Sequence, residues 1–168
     1  MKAKLFFAMM YSRRAIYEEA KRFLELKLGS IEAESNPYTF NFTDYYTKEM
    51  GANLEKRFVV FKDLIEREKL PKIKLLSMKI EKEMSKNGRR LINIDPGYIT
   101  PHAIFLATRK DRAHRVYMGQ GIFIEVTLLF TKDGCKYFEW TYPDYKLPEN
   151  CDFFRRIREG LLRAQRQK

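Results

Sequence analysis

Apolar and polar positions in the first part of the chain switch between the spacing of strands and the spacing of helices. The apolar run from Lys4 to Tyr11 predicts a first core strand. Ser12 then offers an N-cap for a helix that ends at Gly29. The side chains expected to face inward from this helix are Ile16, Ala20, Phe23 and Leu24.

The pattern continues with two strands, a second helix and a further strand. Residues 30–42, which contain Pro37 and alternating aromatic residues, predict an edge strand, and residues 54–61 predict its partner. Pro71 begins a second helix, and residues 90–94 predict the next strand. The order β-α-β-β-α-β is typical of a ferredoxin-like unit, in which two helices cover one face of an antiparallel sheet. The sequence therefore predicts an α+β protein.

Asp95-Pro96-Gly97 is expected to be a turn, and short strands separated by further turn residues follow it. They are expected at residues 103–108, 114–118, 122–130 and 137–140. Together they predict an antiparallel β meander, and a final helix with an apolar inner stripe is expected from Asp152 onward. We expect residues 1–168 to form one compact domain, with the ferredoxin-like half at 1–97 and the meander and helix at 98–168.

Charge narrows the class of partner. The formal net charge is +11, from 33 Lys and Arg against 22 Asp and Glu. Such an excess favours anionic partners, which are nucleic acids or phosphorylated small molecules. Charged surfaces adapted to high temperature are an alternative explanation, because they carry many Lys, Arg and Glu in ion-pair networks.

The two cysteines and the hydropathy predict a cytoplasmic protein without a membrane partner. Cys135 and Cys151 form no CxxC motif and have no neighbouring His or Cys, so they are expected to be reduced thiols and not zinc ligands. No apolar run approaches the roughly 18 residues that a membrane span needs.

A predicted hairpin around Gly119 and Gln120 contains a candidate acid–base pair. An even-length turn there places His114 directly opposite Glu125, and a carboxylate in that position can orient an imidazole for general acid–base catalysis. A structural cross-strand ion pair is the alternative. A shift of one residue would instead pair Arg115 with Glu125.

The segment just before this hairpin is strongly basic. Residues 109–115 contain four fixed positive charges, and Arg109, Lys110 and Arg115 are the candidate phosphate ligands among them. A solvated turn is the alternative. The chain has neither GxxxxGK[ST] nor GxGxxG, so the sequence gives no support for a P-loop or Rossmann nucleotide site.

Acidic and aromatic turns supply the remaining candidates. Asp95 and Asp144, with Glu125, could converge on a magnesium ion, although Asp beside Pro is also ordinary turn chemistry. Residues 42–51 are longer than a simple hairpin requires, which makes them a candidate lid or binding loop. Tyr46 in that loop and Tyr98 are the candidate aromatic ligand contacts.

These turns also resemble an uncharacterised domain-of-unknown-function family of bacteria. The residues that carry the resemblance are the strings FTDYY at 42–46, EMG at 49–51, NIDPGY at 93–98, LAT at 106–108, HRxYxGxG at 114–121, EVTL at 125–128 and WTYPDY at 140–145. Together they extend over nearly the whole chain. Some members of that family carry a GTP-binding label, for which the absence of a P-loop leaves no visible physical basis here. The resemblance therefore implies no established chemistry.

The sequence favours the binding of a nucleotide or another phosphorylated small molecule, at a site formed by the basic loop and the His–Glu hairpin. Whether the site is catalytic stays open. One alternative is an RNA-binding module, suggested by the basic charge, the aromatic residues and the arginine-rich final helix, although no RNP-type pattern is present. Another is a partner-binding protein without catalysis. The sequence does not fix an oligomeric state.

Overall fold

Nine antiparallel strands form one sheet in a computed structural model that describes residues 1–167; Lys168, the last residue of the expected domain, lies outside them. The strands are β1 (Lys2–Tyr11), β2 (Ile31–Glu34), β3 (Tyr38–Thr39), β4 (Glu55–Glu66), β5 (Ile92–Ile99), β6 (Ala103–Thr108), β7 (Val116–Tyr117), β8 (Phe123–Phe130) and β9 (Cys135–Tyr137). Their order is β2-β4-β1-β5-β6-β8-β7, with β3 also on β4 and β9 also on β8. The expected α+β class is confirmed.

Helices cover both faces of the sheet. They are α1 (Arg14–Leu28), α2 (Thr47–Met50), α3 (Leu70–Glu83) and α4 (Pro148–Arg166), with short 3-10 turns at Arg67–Lys69 and Pro143–Lys146. Leu5, Phe7 and Met9 of β1 pack with α1 and α3, whereas Phe6 and Ala8 pack with α4 on the opposite face. This explains why β1 is a continuous apolar run, since a strand covered on both faces has no polar side.

The helices agree well with the sequence expectation, apart from one side chain. The first helix was expected between Ser12 and Gly29, and α1 lies within those limits. Its buried stripe is Tyr17, Ala20 and Leu24, and Phe23 is 41% exposed instead of facing inward. The stripe follows i, i+3 and i+7 spacing, which leaves position 23 at its edge. The expected final helix is also confirmed, as α4.

The segment Asp95-Pro96-Gly97 was expected to be a turn, and this prediction is wrong. It lies inside β5, where Asp95 pairs with Ala8 and Gly97 with Phe6 of β1. A proline is tolerated there because β6 pairs with β5 only over residues 97–99, so the earlier part of β5 has an open edge on that side. This open edge is the place where the candidate site forms.

The second half differs from a simple meander. β6 pairs directly with β8, and both β7 and β9 lie along the other edge of β8. The polar connection at residues 109–115 is long enough to carry the chain past β8, so consecutive strands β6 and β7 are not neighbours. β7 itself contains only Val116 and Tyr117, shorter than expected.

The two cysteines are not free thiols, contrary to expectation. Cys135 in β9 and Cys151 in the first turn of α4 form a disulfide, with their Cα atoms 6.2 Å apart. Their spacing in the sequence gave no indication of this, because the contact depends on α4 packing against the sheet beside β9. Over residues 1–167, no helix combines the length and the apolar character that crossing a membrane requires.

Candidate functional site

A cleft with two adjoining lobes lies at the open edge of β5. The larger lobe has a volume of about 580 Å³ and the smaller about 350 Å³. The residues that border both lobes are Tyr45, Tyr46, Asn93, Asp95, Lys110 and Tyr142. Because these residues come from the 42–51 loop, β5, the basic segment that follows β6 and the turn before α4, the cleft depends on the complete fold.

Charged side chains are the largest group among the residues that line the larger lobe, and most of them are cationic, so we call it the basic lobe. At its base the Lys74 ammonium lies 2.9 Å from Asp95 Oδ1, and the Asn93 amide donates to Asp95 Oδ2 at 2.8 Å. Burial opposes ionisation of Asp95, but the nearby ammonium outweighs it and holds the pKa of that carboxyl below its usual range. Asp95 is therefore ionised, and the Lys74 ammonium balances its negative charge.

Arg90 and Glu81 form the inner wall of the basic lobe. Arg90 makes a forked contact with Glu49, with Nη2 at 2.8 Å from Oε1, and also donates to Asn93. Glu81 is buried and accepts the backbone N–H of Ile94 at 2.8 Å. Burial, assisted by Asp95, raises the pKa of Glu81 to about 7. Glu81 is thus a group in the cleft that titrates near neutral pH.

The smaller lobe is lined by aromatic rings, and we call it the aromatic lobe. The rings belong to Phe40, Phe42, Tyr45, Tyr46, Tyr142 and Tyr145. Its floor is the ion pair of Lys56 and Asp144, whose Nζ and Oδ2 are 2.7 Å apart. The Lys56 ammonium lies 5.1 Å from the Phe40 ring centre and 5.3 Å from that of Tyr145, so it is held between two ring faces.

Asp144 has one engaged and one unpaired oxygen. Its Oδ2 accepts from Tyr38 at 2.6 Å in addition to contacting Lys56. Among residues 1–167 its Oδ1 has no hydrogen-bond partner, and neither has the hydroxyl of Tyr145, although both atoms are buried. Buried polar atoms are normally paired, so the unpaired carboxylate oxygen of Asp144, a residue that lines the aromatic lobe, indicates a missing donor.

His114 and Glu125 do contact each other, but neither borders the cleft. His114 Nε2 lies 2.8 Å from Glu125 Oε2, and Arg115 Nε donates to the same oxygen at 2.7 Å. The register differs by one residue from the expectation, since Val116 pairs with Ile124. The reason is a three-residue turn at Gly119–Gly121, in which all three residues have positive φ.

The His–Glu pair supports the basic loop. The His114 ring stacks on Trp140 with centroids 4.6 Å apart, and Trp140 stacks on Phe138. Arg115 donates from Nη1 to the backbone carbonyl of Lys110 at 2.8 Å. These contacts fix the position of the segment that carries Arg109 and Lys110, both of which line the basic lobe.

The structure therefore divides the expected site residues into three groups. Arg109, Lys110, Tyr46, Asp95 and Asp144 lie at the cleft. His114, Arg115 and Glu125 lie behind it, as described above. Tyr98 is elsewhere, 8% exposed in the core on the face covered by α1 and α3, with its ring 5.0 Å from that of Phe105.

Several cleft residues were missed by the sequence reasoning. They are Lys56, Lys74, Glu81 and Arg90. Lys74 and Glu81 are seven residues apart on α3, and both are buried beside the apolar stripe of Ile73 and Ile80. Charged residues at the buried face of a helix are rare unless paired, and this spacing was an available signal.

The expected magnesium site has no preformed ligand cluster. Within residues 1–167, no group of three or more His, Cys, Asp or Glu side chains is placed to hold a metal ion. Asp95 and Asp144 are instead each paired with a lysine, Lys74 and Lys56 respectively. Two carboxylates that already have cationic partners are poor starting points for a protein-only magnesium site.

The fold and the cleft define an α+β protein whose site joins an aromatic lobe to a basic lobe. The chain belongs to the family DUF4416, a domain of unknown function, whose family model matches residues 1–160. This confirms the resemblance to an uncharacterised family. Neither the curated proteins nor the solved structures include a significant match to the chain.

Proposed function

We propose that this protein binds a nucleotide or another phosphorylated small molecule in the two-lobed cleft. The observation that carries the proposal is the charge of the lining. Its cationic side chains are Lys56, Lys74, Lys82, Arg90, Arg109 and Lys110, and its carboxylates are Glu81, Asp95 and Asp144. A concave, net positive surface of this kind suits a small anion.

Three of these cations remain available to a ligand. Lys82, Arg109 and Lys110 form no ion pair within residues 1–167. The Lys110 ammonium rests on the Tyr45 ring, 4.4 Å from its centre. Arginine and lysine side chains without carboxylate partners are the usual ligands of phosphate oxygens.

The role proposed for His114, Arg115 and Glu125 is to position the basic loop, not to carry out chemistry. They share hydrogen bonds with one another and with the backbone of Lys110, and they do not border the cleft. A ligand bound by Arg109 and Lys110 would depend on this support indirectly.

We also propose that residues 1–99 form a ferredoxin-like unit. The strand order β2-β4-β1-β5, all antiparallel, supports this classification, as do two helices packed on one face. In this interpretation β6 to β9 extend the sheet past β5, and the cleft forms at the junction.

The test is a calorimetric titration of the purified chain with inorganic pyrophosphate and with ATP, with and without magnesium, at two salt concentrations. Magnesium is included because phosphate oxygens can bring the ion into the site. We expect saturable binding that weakens at least about tenfold in Arg109→Ala/Lys110→Ala, since each charge-assisted contact contributes about 1.5 kcal/mol or more.

Lys136→Ala is the matched control, because Lys136 is exposed on β9 away from the cleft and should leave the affinity unchanged. Absence of binding to every phosphate compound would overturn the proposal. So would binding that Lys136→Ala weakens as much as the double variant does, because the charge effect would then be non-specific.

A further inference from the structure

We propose that the aromatic lobe is the subsite for the base of a nucleotide, that the phosphates lie in the basic lobe, and that Asp144 accepts a hydrogen bond from an N–H group on the edge of the base, either a ring N–H or an exocyclic amino group. This inference rests on the proposed function and makes it more specific. It assigns a ligand class and an orientation, which the net charge of the cleft alone does not do.

The first support is the difference in lining between the lobes. Rings from Phe40, Phe42 and Tyr142, among others, border the aromatic lobe, while Arg90, Arg109 and Lys82 border only the basic lobe. A nucleobase has two flat faces that stack on aromatic side chains, whereas a sugar phosphate without a base has nothing to place there.

The second support is Asp144. One of its oxygens is engaged by Lys56 and Tyr38, which fixes the orientation of the carboxylate. The other oxygen is buried and unpartnered among residues 1–167, and Asp144 is one of the residues that line the aromatic lobe. A carboxylate accepts hydrogen bonds and repels phosphate, so the group that fills this end of the cleft has to be a donor. Base edges carry such N–H donors.

The third support is continuity. Tyr46, Lys110 and Tyr142 border both lobes, so one molecule can extend from one lobe into the other. Volumes of about 580 and 350 Å³ are in the range of small-molecule sites. Burial raises the pKa of Tyr46 and Tyr142, so both phenols remain protonated at neutral pH and can donate to a ligand at the junction.

The experiment compares AMP, GMP, CMP and UMP with ribose 5-phosphate, which has the same phosphate but no base, by calorimetric titration of the whole chain. We expect the tightest monophosphate to bind at least about tenfold more tightly than ribose 5-phosphate, from stacking of the base. Equal affinities would overturn this inference and leave the proposed function standing. Binding of neither class would overturn this inference, and together with absent binding of pyrophosphate and ATP it would overturn the proposed function as well.

Two further comparisons test the orientation. Phe42→Ala should reduce the advantage of the monophosphate over ribose 5-phosphate by about fivefold or more, from lost stacking. Phe23→Ala, which removes an exposed ring on α1, is the control and should leave the ratio of the two affinities unchanged. An equal loss for both ligands in Phe42→Ala would contradict a base in the aromatic lobe.

Purine riboside 5′-monophosphate tests the contact with Asp144 without changing the protein. Its base has neither a ring N–H nor an exocyclic amino group, so it should bind about fivefold or more less tightly than the tighter of AMP and GMP, by the loss of one hydrogen bond to a charged acceptor. Equal affinity would show that Asp144 does not accept from the base, and that part of the inference would be wrong.

Discussion

Arg115 donates from Nε to Glu125 Oε2 at 2.7 Å, and the two side chains are only 7% and 1% exposed. His114 contacts the same oxygen at 2.8 Å. Because both side chains are almost completely removed from water, the charge of Arg115 and the charge of Glu125 each depend on the other. Water cannot solvate either charge if its partner is lost. This cluster is therefore a structural support of the loop that carries Arg109 and Lys110.

Glu125→Gln should lower the free energy of unfolding by about 3 kcal/mol, because it leaves the buried Arg115 guanidinium without a counter-charge. Chemical denaturation at neutral pH measures this change. Glu139→Gln is the control, since Glu139 is exposed and has no ion pair within residues 1–167, and it should stay within about 0.5 kcal/mol of the wild type. Equal effects of the two substitutions would contradict the supporting role of Glu125.

Glu81 should make the stability depend on pH between its ordinary pKa and its value in the folded protein. Burial raises that pKa from 4.5 to about 7, so the folded state holds the proton more tightly than the unfolded state. The resulting stabilisation is fully present below pH 4.5 and is lost as the pH rises through about 7. One pKa unit corresponds to about 1.4 kcal/mol, so the loss amounts to roughly 3 kcal/mol.

Glu81→Gln removes this titration. The free energy of unfolding of the variant minus that of the wild type should therefore increase by roughly 2–4 kcal/mol as the pH rises from 4.5 to 8. Denaturant unfolding over a pH series measures it. The variant is compared with the wild type at each pH because Asp95 has the opposite effect in both proteins. The lowered pKa of Asp95 contributes stability that is lost as the pH falls. Glu83→Gln on the same helix, at an exposed position, should show no such trend.

The helices and the first strand could be predicted because their patterns are long and local. Seven or more residues of consistent spacing defined β1, α1, α3 and α4 within a few positions. The path of β5 could not be predicted in the same way, because Asp95-Pro96-Gly97 is typical of a turn. Only the missing neighbour strand on one side makes the proline acceptable in the sheet.

The site was predictable only where its residues are neighbours in sequence. Arg109 and Lys110 were found because they belong to one basic segment. Lys56, by contrast, meets Asp144 only after β4 and the turn before α4 come together. The register of the hairpin depended on whether Gln120 adopts positive φ, which the residue type does not determine.

The disulfide closes the loop that carries Tyr142 and Asp144, and its loss should destabilise the protein. Cys135 and Cys151 are 16 residues apart, a loop for which the chain-entropy model gives about 3 kcal/mol. The free energies of unfolding measured by denaturant with and without a reductant should differ by this amount. In Cys135→Ser/Cys151→Ser the reductant should have no effect. Thiols that react with an alkylating agent in the untreated native protein would contradict the bond.

Gly97 and Gly160 should respond in opposite directions to replacement by alanine. A Cβ at position 97 would lie 2.6 Å from the Phe6 ring and would overlap the backbone carbonyl of Phe105. The strand β5 cannot move away, because it is paired with β1 on one side and with β6 on the other. Gly97→Ala should therefore lose about 3 kcal/mol or more, as expected for overpacking against backbone.

At Gly160, in the interior of α4, an added Cβ meets nothing within 4 Å. Gly160→Ala should gain about 0.5–1 kcal/mol, because alanine restricts the unfolded chain and favours the helix. Thermal or denaturant unfolding of both variants measures the contrast. A stable Gly97→Ala protein would show that β5 and β6 do not approach each other as closely at this position, and the open edge that forms the cleft would then be wrongly placed.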